Sequence, residues 1–239
     1  MVESLGFRGS AAVTQVANGG TVAAMASPIV LPRPTWRGRL HSWAFFATIP
    51  AAILLIRSAS HPAAVASSAV FAGSMLLVFG TSATYHRVIR SERAKRVWQR
   101  IDHCMIYVLI AGTYVPMCIL AMPLSWGVPL LSVVGAGAVL GVAIKGSGAR
   151  RLQWLGYALY PVLGWLALVA GPVLVRSLSP AQLALVVGGG IAYTVGFPVL
   201  LAKRPDPWPR VFGYHEIWHV FTVVAAALHF SAVATIVAA

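Results

Sequence analysis

The chain has 239 residues, 59% of them hydrophobic and only 10% charged, with a mean hydropathy of +0.80. A soluble globular domain carries about a quarter charged residues, so this composition excludes an ordinary soluble enzyme and indicates a polytopic membrane protein. The formal net charge is +13, and where the basic residues lie shows what that charge is for.

Residues 1–35 are rich in Ala, Ser, Thr, Val and Gly and end in Pro32, Arg33 and Pro34. They show no sustained period and no basic, apolar and cleavage-site succession of a secretory signal. A disordered segment is predicted there, with Met25 as an alternative start. From residue 36 to 239 the chain reads as one domain. Apolar runs of roughly 20 residues, enough to cross ~30 Å of hydrocarbon, occur at about 40–57, 64–86, 102–121, 126–144, 152–175, 182–201 and 214–238. The fold class predicted is therefore an all-α membrane protein, a seven-transmembrane helix bundle. Trp36, Trp98, Trp126, Trp154 and Trp208 fall near span ends, where aromatic anchors belong.

With an inside N-terminus, every one of the 18 Lys and Arg residues except Arg57 and Arg176 falls in an inside segment. That bias is the positive-inside rule at work, and it predicts a cytoplasmic N-terminus and an outside C-terminus. The group from Arg87 to Arg100 reads as loop charge that attracts anionic lipid heads. No nucleic-acid partner is predicted.

In chain order, His41 and His61 sit at span ends and read as interfacial residues. Span two closes on Thr81-Ser82-Ala83-Thr84-Tyr85-His86, with Ser82 one turn deeper than His86 on the same face. Span three opens with Arg100-Ile101-Asp102-His103. His103 is turned about 100° from Asp102, so if Asp102 faces the bundle interior His103 does not; an Asp102–Arg100 salt bridge is the bland alternative. Gly137-x-x-x-Gly141 and Gly188-Gly189-Gly190 predict close helix approach. Pro116, Pro161 and Pro198 lie inside spans, where kinks are tolerated if neighbours satisfy the backbone. Cys104 and Cys118 share a span ~21 Å apart, which excludes a disulfide between them.

Span seven opens with Gly213-Tyr214-His215-Glu216-Ile217-Trp218-His219, an H-E-x-x-H pattern. Residues four apart stand one turn above each other, so His215 and His219 can hold one metal ion between them. Two imidazoles do not complete a zinc site, which takes at least three protein ligands. The extended protease pattern fails, because no acid follows Glu216 and the residues from Val220 to Ala225 supply neither its Gly nor its third His. His229 lies ~15 Å beyond His219 along a helix, too deep to share an ion. Glu216 is accordingly read as a supporting partner of the site or a boundary charge rather than as a general base. Topology nevertheless brings His86, Asp102, His215 and His219 to one depth of the membrane, where ionisable groups facing a bundle interior tend to be functional.

Ser82-x-x-x-His86 in the second span, Asp102 opening the third and His215-x-x-x-His219 opening the seventh together resemble the signature of the haemolysin III family. That family is the bacterial branch of the progestin and adipoQ receptor superfamily, which includes the adiponectin receptors. The resemblance covers the chain from about Pro34 onward. It implies a seven-helix bundle in a bacterial inner membrane, topologically opposite to G-protein-coupled receptors, with Zn2+ held by His86, His215 and His219. It further implies that Asp102 and Ser82 line the zinc-side cavity, and it suggests kinship with alkaline ceramidases. The chemistry expected is zinc-dependent hydrolysis of an acyl lipid amide or ester at the cytoplasmic leaflet. In it Asp102 orients water or accepts its proton, and Ser82 hydrogen-bonds that water or a developing oxyanion. Two rival readings are a receptor-like or membrane-homeostasis regulator with a structural zinc, and a cytolysin. Against the second stand resident apolar spans and the lack of an amphipathic pore-forming hairpin.

Overall fold

The computed structural model describes residues 33–238; the expectations for the N-terminal segment, Met25 included, lie outside the described residues up to position 32. The helices are α1 (Arg39–Arg57), α2 (Pro62–Arg87), α3 (Glu92–Pro116), α4 (Leu124–Ser147), α5 (Gln153–Trp165), α6 (Gly171–Ser177), α7 (Pro180–Ala202) and α8 (Tyr214–Val237). A π-helical turn, Met117–Ala121, continues α3, and a 3-10 stretch, Leu166–Ala170, joins α5 to α6. Seven spans long and apolar enough to cross a membrane result, in the predicted order. Among the described residues no strand forms beyond an isolated bridge between Trp208 and Phe212.

Helix starts follow local capping chemistry. His61 accepts a hydrogen bond from the Ala64 amide, with Pro62 opening α2, and Ser179 and Gln182 close a reciprocal box at the start of α7. The largest difference from the sequence reading is in span three. Ser91 caps α3 by accepting from the Ala94 amide, so the helix begins at Glu92, well before the apolar run at Asp102. Those first turns carry Arg93, Lys95, Arg96 and Arg100. Hydropathy registers what suits lipid, whereas the backbone is helical wherever its hydrogen bonds close.

Large apolar side chains such as Phe46, Leu54 and Val139 are exposed on the bundle surface, as expected of helices bathed in hydrocarbon. The interior around Leu55, Phe71, Met75, Phe79, Leu109 and Val233 joins α1, α2, α3 and α8. Both glycine-rich stretches do pack closely: Gly141 faces the Tyr107 ring, and Gly189 faces the ring of His229, whose Nε2 lies 3.1 Å from the Val186 carbonyl. Cys104 and Cys118 are buried free thiols. Pro116 precedes the π turn and Pro161 the 3-10 stretch, while α7 stays helical through Pro198. The backbone groups loosened at the 3-10 stretch meet the hydroxyl of Tyr114 on α3. It accepts from the Ala167 amide at 2.8 Å and turns its proton toward the carbonyls of Leu163, at 2.8 Å, and Gly164, at 3.0 Å.

Candidate metal centre

Two helix ends and one strap of chain build the site. His86 lies in the last turn of α2. Helix α8 starts where Gly213 donates its amide to Glu216 Oε2 at 2.9 Å and Tyr214 donates to Asp206 Oδ1 at 3.1 Å. Two carboxylates thus satisfy the first unpaired amides and complement the positive end of the helix dipole. A Cβ at position 213 would stand 2.2 Å from Asp206 Oδ1, so a larger residue there would have to displace the carboxylate tip that accepts from Tyr214. The first turns that follow place His215 and His219 opposite His86.

The ligand-capable nitrogens of His86, His215 and His219 lie within 4.8 Å of one another. His86 Nε2 and His215 Nε2 are 3.1 Å apart. Nitrogens bound to zinc at 2.0–2.1 Å with tetrahedral angles stand about 3.3 Å from each other, so small rotations of the rings accommodate an ion. The His219 Nδ1 is buried with no hydrogen-bond partner, a state buried polar atoms rarely keep. An all-imidazole donor set suits Zn2+ among several first-row ions. On geometry and donor type, the trio could hold a metal ion.

Asp102 stands outside that trio. It is buried, as is Ser82, which is 2% exposed and lies within reach of its carboxyl. The alternative salt bridge with Arg100 does not form; Arg100 lies against Gly148 instead. His103 points elsewhere, its ring edge-on to Tyr157 and its carbonyl accepting from Tyr160. Glu216 is fully buried with both oxygens engaged, Oε2 by Gly213 and Oε1 by Arg37 Nε at 2.5 Å. Glu216 therefore ties the strap residue Arg37 to the start of α8.

The strap is the segment before α1. Its Thr35 and Trp36 amides donate to the carbonyls of Arg210 and Val211, both at 3.1 Å, and Arg33 Nη1 donates to the His86 carbonyl at 3.2 Å. Gly38 has a left-handed φ of 77°, and a Cβ there would lie 2.6 Å from the His86 Cβ.

The pattern of the family described as "Haemolysin-III related" matches residues 29–230. The chain belongs to the haemolysin-III-related family. Among relatives of known sequence it is 34% identical over 193 residues to the "Hemolysin-3 homolog" of Bacillus subtilis (strain 168), which covers 80% of this chain and 87% of that protein. It is 33% identical over 188 residues to "Hemolysin-3" of Bacillus cereus, covering 77% and 82%. A more distant similarity, 26% over 181 residues, covering 69% and 79%, reaches the "Heptahelical transmembrane protein ADIPOR2" of Oryza sativa subsp. japonica. The chain is thus a multi-pass membrane protein of the haemolysin III and adiponectin-receptor-like kind.

One residue of this haemolysin-III-related site escaped the sequence reading. His41, expected at the interface, is only 4% exposed and stacks on His219 with ring centroids 3.7 Å apart and planes 9° off parallel. The correction has a physical reason: α1 begins at Arg39, and the strap pulls its first turn inward against α8. Hydropathy places a histidine near a span end, but only the packing of α1 on α8 shows which way it faces. His61, by contrast, is an exposed helix cap.

Proposed function

We propose that this protein is a zinc-dependent hydrolase acting on an acyl lipid amide or ester at the cytoplasmic leaflet of a bacterial inner membrane, N-terminus inside. The observation that carries the reading is the ligand count. The described residues offer three clustered imidazoles and no fourth protein ligand, which is the donor set of a catalytic zinc site rather than of a closed structural one. Glu216 is already committed to Arg37 and Gly213, whereas Asp102 is a buried carboxyl in no ion pair among the described residues. The basic residues gathered on that side suit a substrate with an anionic headgroup.

When bound, zinc supplies Lewis acidity that activates water toward an acyl carbonyl. Asp102 takes the proton of the attacking water and returns it to the leaving amine or alcohol. Ser82 donates to Asp102 and fixes the orientation of its carboxyl. That is a positioning role, narrower than the contact with water or a developing oxyanion expected from sequence.

Metal content measured on detergent-purified wild type beside His86→Ala and His219→Ala tests the site. About one zinc per chain, lost in both variants, is the expected result. Hydrolysis of a panel of N-acyl and ester lipids above the level of Asp102→Ala then tests the activity. Wild type that binds zinc yet cleaves nothing above that control sinks the enzyme and leaves a regulator with a structural ion. The names of two relatives suggest a cytolytic reading; conductance in pure liposomes that survives every metal-site substitution would favour it.

A further inference from the structure

We infer that His41 is a positioning residue of the metal centre, holding the ring of His219 in the orientation from which that residue binds the ion, without being a ligand itself. The inference rests on reading the histidine trio as a metal centre.

The stack itself excludes ligation by His41. An imidazole binds through a lone pair in the plane of its ring, with the ion ~2 Å from the nitrogen. An ion in the plane of His219 therefore stands close to one stacking distance, 3.7 Å between centroids, off the plane of His41. No His41 lone pair points there. What His41 presents to His219 is a flat face.

Hydrogen bonding fixes that face. The Thr222 hydroxyl donates its one proton to the His219 carbonyl at 2.9 Å. Its 3.0 Å contact with His41 Nε2 must then run from the ring N–H to the hydroxyl oxygen. His41 thus grips His219 twice, at its ring through the stack and at its backbone through Thr222. Phe79 packs edge-on against the same ring, with centroids 5.2 Å apart.

The same assignment leaves His41 Nδ1 buried without a partner. Burying a lone pair unpaired is unfavourable, a cost set against the hydrogen bond to Thr222 and the stack on His219. Neighbouring residues act in the same sense. Arg33 holds the carbonyl of His86, Gly38 lies against its Cβ, and Arg37 holds Glu216 between His215 and His219. The stretch Arg33–His41 contributes no ligand, yet it touches or braces every ligand.

The test uses the full-length protein in detergent. Zinc affinity is measured by chelator competition, and the visible absorption of the Co2+-substituted protein is recorded, for wild type, His41→Ala, His41→Phe and the control His229→Ala. His41→Ala is expected to bind zinc about 10–100-fold more weakly, the usual effect of removing a ligand's support, with shifted Co2+ bands. His41→Phe, which keeps a flat face, restores affinity to within about threefold of wild type and restores the spectrum. Wild-type affinity and spectrum in His41→Ala overturn the inference. Complete loss of metal there, as in His219→Ala, makes His41 a ligand and also overturns it. If the alanine variant does not fold, His41→Phe decides alone, since weakened binding there removes the stacking role. Wild type that binds no metal sinks the centre itself, a result visible before any His41 variant is read.

Discussion

Arg37 and Glu216, 179 positions apart, form an ion pair that joins the strap to the helix carrying His215 and His219, with the Glu216 side chain wholly buried and that of Arg37 21% exposed. Breaking a buried pair from one side strands the other charge, at a cost of about 3–5 kcal/mol. Arg37→Ala should therefore lower the thermal midpoint in detergent sharply. Glu216→Gln keeps an acceptor for the Gly213 amide and should cost less. If Glu216 only supports α8, the glutamine variant keeps its zinc and its lipid turnover. An intact, zinc-loaded Glu216→Gln protein without turnover would instead make Glu216 the general base.

Gly38→Ala should act on His86. A non-glycine residue at φ 77° costs about 1–2 kcal/mol in backbone energy alone, and the new methyl would lie against the His86 Cβ. Zinc affinity and thermal stability are expected to fall together. Gly135→Ala, in mid-helix with nothing within 4 Å of the added carbon, should raise stability by about 0.5–1 kcal/mol and leave metal binding alone.

Removing the metal should destabilise the bundle. An ion that binds only the folded state adds about 2.7 kcal/mol at a free concentration of 100 times Kd. Unfolding scans with and without chelator measure that increment directly. The pH dependence has a fixed sign: imidazoles must be neutral to bind metal, so the increment is present at high pH and shrinks as pH falls. An increment that grows as pH falls would argue against an all-histidine site.

His229 gives a contrast within the same helix. His229→Ala removes the contact with the Val186 carbonyl and opens space beside Gly189. A loss of about 0.5–1.5 kcal/mol is expected from the removed hydrogen bond, since the Val186 carbonyl lies within the ladder of α7, with zinc content unchanged. A fall in zinc content in this variant would mean that the α7–α8 contact reaches the centre.

The seven spans and the convergence of His86, His215 and His219 were legible in the sequence. Lipid demands long apolar runs, and alternating topology dictates which ends meet. His41 and Arg37 were not legible, because their roles depend on α1 packing against α8 and on a strap that carries no period of its own. The start of α3 was missed for a different reason, since hydropathy falls silent where a capped helix runs on into polar surroundings. Glu216 lay between these cases. The failed protease pattern removed one role, and only the distant Arg37 disclosed the other.

Tyr114 carries a consequence for how the protein is made. Its hydroxyl is the partner that the Leu166–Ala170 stretch brings for the Ala167 amide at membrane depth, and hydrocarbon offers none in its place. The fifth span is therefore a poor solitary passenger in the translocon: alone in lipid in this conformation, it would leave a peptide group unsatisfied. The third span is synthesised first, so the order of translation favours their docking as the fifth emerges.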